Sequence, residues 1–334
     1  MFAKISGIST YLPNTIITNE NINEQFPEWS AEKISSKTGI FNRREADKDE
    51  FTSDMAIKSA INLFQEYKIN KDDIDFVLLC TQSPDYFLPT TACIVQDKLG
   101  LKTSCGALDF NLGCSGYVYG LALASGLISS KIANNILLIT SETYTKHIHS
   151  KDKSNKTIFG DAATATLVSK AGECEIQQFV LGTDGSGAEN LIVKKGAVKH
   201  SERDGEDIYD DEGNFLKNDN NLFMDGQKIF QFTTKAVPEL VNNTLLANNL
   251  SLPDIDLFIF HQANQFMLDY IRRKLKISEE KFFIHLEDVG NTVSSTIPIA
   301  LEEAMKSNRI EKGMTVLIAG FGVGYSYGAT ILKF

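Results

Sequence analysis

Cys114 stands in Leu112-Gly113-Cys114-Ser115-Gly116, where an apolar strand pattern gives way to a helical one. Glycines on both sides let the backbone turn sharply and let a substrate come close. A thiol at the start of a helix lies at the positive end of the helix dipole, which favours the nucleophilic thiolate. The plainer reading is a small core cysteine, and Cys80, Cys93, Cys105 and Cys174, none with a glycine on each side, read that way. His261 ends the apolar run Leu257-Phe258-Ile259-Phe260 and opens Gln262-Ala263-Asn264. Asn291, in Gly290-Asn291-Thr292, carries an amide NH2 that can donate to a carbonyl oxygen; a helix N-cap is its simpler alternative. The segment Gly320-Phe321-Gly322-Val323-Gly324 can expose backbone N–H groups, as an oxyanion hole requires. As a phosphate-binding fingerprint it is weak, because no suitable helix follows. Asp184-Gly185-Ser186-Gly187 reads as a turn.

These residues must be positioned by elements, and the elements are written twice. Asp73-Ile74-Asp75-Phe76-Val77-Leu78-Leu79-Cys80 matches Asp254-Ile255-Asp256-Leu257-Phe258-Ile259-Phe260-His261, both reading as buried strands. Asp109 to Cys114 pairs with Leu286 to Asn291, so Asn291 takes in the second copy the place of Cys114 in the first. Helical patterns follow, Tyr117–Ser130 and Ile297–Asn308, and then strands, Asn135–Thr140 and Met314–Ala319. The separation stays near-constant at about 180 residues. Alternating strands and helices predict an α/β layered fold with mostly parallel sheets, in two halves, 1–172 and 173–334, related by a pseudo-twofold axis. Loops at the carboxyl ends of strands then face one another near that axis, where α/β sites usually lie.

One segment escapes the repeat: residues 196–221 are rich in Lys, Asp, Glu, Asn and Gly. It reads as a solvated surface excursion or, alternatively, as a cap over a substrate entrance. Lys+Arg 33 against Asp+Glu 43 give a net charge of −10, which argues against a nucleic-acid binder. The most apolar stretch, Tyr117–Ile128, is too short and too interrupted by glycine to suggest a membrane span. The start lacks the pattern of a secretory signal, and an odd count of 5 cysteines without CxxC spacing indicates neither a disulfide framework nor a zinc site. A cytoplasmic protein is expected.

Taken together, the residues resemble the thiolase superfamily and, within it, the β-ketoacyl-acyl carrier protein (ACP) synthase III family. The likeness runs from Ser9-Thr10-Tyr11-Leu12-Pro13 to Phe334. It is carried by Thr38-Gly39-Ile40, the Cys114 turn, Ile158-Phe159-Gly160-Asp161, Asp184-Gly185-Ser186, His261-Gln262-Ala263-Asn264, Gly290-Asn291-Thr292 and Gly320-Phe321-Gly322-Val323-Gly324. The resemblance implies a five-layer αβαβα thiolase-like fold and a catalytic Cys114–His261–Asn291 set, with Cys114 and Val323 N–H groups as the oxyanion hole. It implies that Cys114 takes an acyl group from an acyl-CoA or acyl-ACP. His261 and Asn291 would then donate to a malonyl thioester as CO2 leaves, giving a 3-oxoacyl thioester by ping-pong kinetics. No cofactor or metal is implied beyond these substrates. Phe159 and Phe321 would line the centre, Asn264 would support it, and Lys37 and Lys153 would keep positive charge near the pantetheine entrance. Homodimers are implied, with Phe87 reaching the partner's acyl pocket. Lys33 stands where the family stacks a tryptophan on the coenzyme A adenine, with Trp29 four residues earlier. Phe266 stands where an arginine docks the carrier, so Arg272 and Arg273 are candidates for a relocated basic patch. A same-fold acyltransferase passing the acyl group to an alcohol or amine is the alternative activity.

Overall fold

A computed structural model describes residues 3–334. Its framework is a ladder of ten strands. The first half contributes β1 (Lys4–Tyr11), β2 (Phe76–Cys80), β3 (Gly106–Phe110), β4 (Asn135–Glu142) and β5 (Ala162–Ser169). The second contributes β6 (Cys174–Thr183), β7 (Leu257–Phe260), β8 (Phe282–Phe283), β9 (Thr315–Gly322) and β10 (Ser326–Lys333). The order is β8-β7-β9-β10-β6-β1-β5-β4-β2-β3, which reads the same from either edge once each strand is replaced by its counterpart. The halves meet edge to edge, Lys4 opposite Glu175 and Ile5 opposite Cys174.

The sheets are mixed rather than mostly parallel. In each half two pairings are parallel, β2–β3 and β2–β4 or β7–β8 and β7–β9. Two more in each are antiparallel, β4–β5 and β5–β1 or β9–β10 and β10–β6. The cause is visible between β9 and β10, where three residues, Val323–Tyr325, make the whole connection. So short a link joins only antiparallel neighbours, since a parallel crossover needs a dozen residues or more.

Seven helices clothe the ladder: α1 (Ala31–Thr38), α2 (Thr52–Glu66), α3 (Thr91–Leu99), α4 (Gly116–Ser129), α5 (Gly226–Ala247), α6 (Gln265–Lys274) and α7 (Thr296–Lys306). Helix α4 is apolar nearly all round, yet it leaves an exposed stripe through Leu123, Gly126 and Ser129. Its Leu121 and Ile128 share one core with Ile297 and Leu301 of α7, Leu138 of β4 and Ile259 and Ile318 of the second half. The opposite face of β4, Leu137 and Ile139, packs under Ala56, Leu63 and Val95 of α2 and α3. In the second half Phe258, Phe260 and Leu317 pack under Val237, Val241 and Leu268 of α5 and α6. Side chains alternate faces along each strand, so β4, β7 and β9 are apolar on both sides and the layers run helix, sheet, helix, sheet, helix.

Residues 196–221 form neither bare coil nor part of the ladder. Ile208–Tyr209 and Phe215–Lys217 make a small hairpin. It is fastened to residues 147–153: Phe215 stacks on His149 with ring centroids 4.5 Å apart, Lys151 Nζ pairs with Asp207 at 2.8 Å, and Asn221 Nδ2 donates to the His147 carbonyl at 3.2 Å. No helix among the described residues is long and apolar enough to cross a membrane.

Candidate active site

Cys114 lies just before α4 in a turn closed by the Gly116 N–H donating to the Gly113 carbonyl at 2.8 Å. The glycines around it are required by crowding. A Cβ on Gly116 would stand 2.2 Å from Cys80 Sγ, and one on Gly322 would stand 2.7 Å from Cys114 Sγ itself. The end of β9 therefore closes over the nucleophile from the second half. The backbone N–H groups of Val323 and Cys114 face the sulfur, the two donors that the sequence marks as an oxyanion hole.

Burial dominates the thiol all the same. Cys114 is 6% exposed, and its pKa is pushed up to about 12 because the anion would lose water; the two N–H groups pull it down only in part, and Glu142 adds repulsion. Burial therefore works against the thiolate that the helix start favours.

His261 follows β7 and is 2% exposed. Burial pushes its imidazole down to about 3, so the ring is neutral. Phe321 stands edge-on to it, centroids 5.8 Å apart, one residue before Gly322 at the sulfur. Its Nδ1 lies 2.7 Å from Thr296 Oγ1.

Asn291 is pinned through its backbone to the first half. Its N–H donates to the Ile158 carbonyl at 2.9 Å, and its carbonyl accepts from the Gly160 N–H at 3.1 Å. Its side-chain oxygen accepts the Val293 N–H at 3.0 Å, which turns the NH2 end away as a donor. Val293, at φ +57°, occupies the left-handed region that a β-branched residue rarely adopts. Its side chain reaches to 3.2 Å from a Cβ placed on Gly113. Cys114 thus shares one core with Phe321 and Val293 of the second half, which adjoin His261 and Asn291 respectively.

Phe159 pairs with Asn291 in an isolated parallel bridge and packs on Tyr144 at 5.0 Å; both Phe159 and Phe321 are buried beside Cys114 in one core. Asn264 caps α6, its side-chain oxygen accepting from Met267 N–H at 2.9 Å, so its contact is to the helix rather than to the sulfur. Lys37 and Lys33 place their ammonium groups over the Trp29 ring at 5.2 and 4.9 Å. Lys153 pairs with Glu28 at 3.0 Å and approaches Asn214 of the hairpin at 3.4 Å. Phe87 is 76% exposed between Tyr86 and Leu88, away from this cluster in a single chain. Phe266, 64% exposed, stacks on Phe230 and lines a cleft of about 920 Å3 between α1 and α6, with Tyr270, Arg273 and Lys274. Arg272 does not join Arg273 in a surface patch: it is buried and paired with Glu279 at 2.7 Å.

Glu142 escaped the sequence reading. This fully buried carboxyl at the end of β4 accepts from Gln82 N–H (3.0 Å), Ser83 Oγ (3.2 Å) and Ser294 Oγ (2.8 Å), tying the first half to the Asn291 turn. Burial pushes it up to about 8. A charged residue closing an apolar strand at its carboxyl end was the available signal. Among the described residues no cluster of His, Cys, Asp or Glu could hold a metal ion.

Known proteins supply the context for this geometry. Two family models match, 3-oxoacyl-[acyl-carrier-protein (ACP)] synthase III over residues 108–185 and its C-terminal region over residues 245–334. A β-ketoacyl-[acyl-carrier-protein] synthase III of Clostridium perfringens is 37% identical, with 99% of each chain covered. A crystal structure of a 3-oxoacyl-(acyl-carrier-protein) synthase III superposes with a TM-score of 0.97 at 45% identity over the full length of both chains. A 3-oxoacyl-(acyl-carrier protein) synthase from Burkholderia xenovorans LB400 gives 0.90 at 35% identity, covering 99% of this chain and 94% of its own. On a thiol, an imidazole and an amide brought together by duplicated halves, and on likeness from end to end, the chain belongs to the 3-oxoacyl-[acyl-carrier-protein] synthase III family.

Proposed function

We propose that this enzyme loads an acyl group from an acyl thioester onto Cys114 and condenses it with a malonyl thioester carried by ACP, releasing CO2 and a 3-oxoacyl thioester. The observation that carries the proposal is the pair of N–H groups, from Cys114 and Val323, facing the Cys114 sulfur at the end of β9, the strand whose Phe321 stands edge-on to His261. In the loading step the sulfur attacks the thioester carbonyl. The N–H pair takes up the developing oxyanion, the carbonyl–carrier sulfur bond breaks as it collapses, and the Cys114 proton ends on the departing carrier sulfur, which leaves as the thiol. In the second step malonyl carboxylate departs as CO2. The enolate oxygen is held by His261 and the Asn291 NH2, its carbon attacks the acyl-cysteine carbonyl, and the carbon–sulfur bond to Cys114 breaks to release a thiolate that takes one proton from solvent.

The relatives are named for the acyl carrier protein, and we assign the same partner here. A chain of net charge −10 must meet an acidic carrier through a local basic surface; Lys33 and Lys37 on Trp29, with Arg273 and Lys274, offer one. Exposed Tyr86-Phe87-Leu88 suits a homodimer in which Phe87 enters the partner's acyl pocket. A cytoplasmic location, and no cofactor beyond the substrates, complete the reading. Intact-mass measurements against acyl-CoA and acyl-ACP panels, followed by malonyl-ACP with CO2 capture, test it. A Cys114 adduct followed by CO2 release is expected. Transfer of the acyl group to an alcohol or amine without CO2 would establish the simpler acyltransferase instead.

A further inference from the structure

The core that holds Cys114 also holds Tyr144, Phe159, Leu191 and Leu222, all buried and none charged. Leu191 and Leu222 are brought there by a two-stranded ribbon, Leu191–Val193 against Leu222–Met224, at the roots of the 196–221 excursion. An acyl group carried on the sulfur needs such an apolar surround. Tyr144 is the bulkiest of the four side chains, and two observations put its ring beside the sulfur. It packs on Phe159 with centroids 5.0 Å apart. The charge of Cys114 is also, after burial, the largest influence lifting its phenol well above the ordinary value. The ring is fixed as well. His147 stands edge-on to it at 5.7 Å, with Nε2 held 3.2 Å from the Gln82 carbonyl oxygen. Thr145, next in the chain, donates its N–H and its hydroxyl to the fully buried carboxyl of Asp161 at 2.9 and 2.6 Å. A ring clamped in this way does not swing out to make room, and an interior of ordinary density resists forced insertion.

We propose that Tyr144 determines acyl-chain specificity: its ring is a fixed stop beside the Cys114 sulfur that admits a short acyl group, of about two to four carbons, and turns longer ones away. This rests on the reading above that Cys114 carries the acyl group. It adds the class of acyl donor, which neither the motifs nor the names of the relatives supply.

Two series of probes test it. Acyl-CoA and acyl-ACP donors from acetyl to octanoyl are scored for the rate of Cys114 adduct formation by mass, read as the hexanoyl-to-acetyl ratio. Methyl to hexyl methanethiosulfonates measure the same space without acyl chemistry: the Cys114 thiolate takes the alkylthio group as a mixed disulfide, and methanesulfinate leaves. Wild-type enzyme is expected to favour the shortest member of each series over the six-carbon one by about 10-fold or more. Tyr144→Ala should raise the six-carbon ratio by about 10-fold or more. Tyr144→Leu, which keeps a packed apolar side chain should alanine not fold, is expected to give part of that gain, and Tyr144→Phe should keep the wild-type ratio. The proposal is overturned by a wild-type ratio near one, or by ratios unmoved in both Tyr144→Ala and Tyr144→Leu. It is equally overturned by a shift in Phe87→Ala with none at Tyr144, which would give the stop to the dimer contact. A Cys114 that takes the alkyl series with the expected bias, but no acyl group from any thioester, would sink the acyl-loading reading and leave the stop standing.

Discussion

The proton on Cys114 can be tested directly with pH as the perturbation. Burial lifts the thiol from its ordinary value near 9 to about 12, a difference worth about 4 kcal/mol at ~1.4 kcal/mol per unit. At pH 7.5 the thiolate fraction is then lower than that of a free thiol by roughly 1000-fold. Alkylation by iodoacetamide proceeds through the thiolate. Its rate at Cys114 should therefore be lower by a similar factor and rise about tenfold per pH unit through pH 10 without levelling. The measurement is modified mass against time in a Cys93→Ser background, which removes the exposed thiol. A plateau with a midpoint below pH 8 would refute the reasoning. It would mean that the helix dipole and the two N–H groups outweigh desolvation. If the expectation holds, a thioester must react faster than its thiolate fraction alone allows, because only a carbonyl oxygen placed at those N–H groups lets the proton leave during attack.

Gly322→Ala should displace Cys114 by something near an ångström, since its Cβ would lie 2.7 Å from the sulfur and 2.8 Å from the Cys114 Cβ. A loss of ~100-fold in acylation, with stability lowered by ~1–3 kcal/mol through overpacking, is expected; near-normal acylation would show that the loop gives way freely. Asn291→Asp keeps an acceptor for the Val293 N–H but removes the donor, so CO2 release should fall about 100- to 1000-fold while the fold persists. Parallel loss of acylation would argue against that division. Glu142 is raised from 4.5 to about 8, so the native state holds its proton where the unfolded chain has lost it. Its contribution is therefore present below pH 4.5 and is lost as pH rises through about 8. Glu142→Gln, which cannot ionise, should flatten the fall in melting temperature between pH 5.5 and 8.5; parallel curves for the two proteins would count against a protonated Glu142.

The duplicated strands were legible, and Cys114, His261 and Asn291 stood out, because each belongs to a local pattern. Apolar runs of strand length, turn residues before them, and glycines around Cys114 appear in consecutive positions. The polarity of the strands was less so. Alternation of strand and helix suggested parallel neighbours, and only the three-residue link Val323–Tyr325 carried the contrary signal. The state of the Cys114 thiol was not legible at all. The start of a helix is local, whereas the desolvation that overrides it comes from β9 of the other half closing over the sulfur. Arg272 misled for the same reason, as Glu279 and the floor of α6 claim a side chain that charge alone would place outside. Glu142 and Thr296 were invisible because their partners, Ser294 and His261, are brought to them by the fold from 152 and 35 residues away.

Cys114 and Asn291 hold matching places in two copies of one unit. In an assembly of two identical, separately encoded halves, any substitution at that place would appear twice, giving two thiols or two amides across the axis and no division of labour. Joining the copies in one chain breaks that constraint. With both copies in one chain the two places carry different side chains, a thiol in one and an amide in the other, and the pair can never be diluted apart. The strand pairing of Lys4 with Glu175 and Ile5 with Cys174, at the seam between the copies, is thus also where an inherited symmetry is kept in the backbone while being discarded in the chemistry.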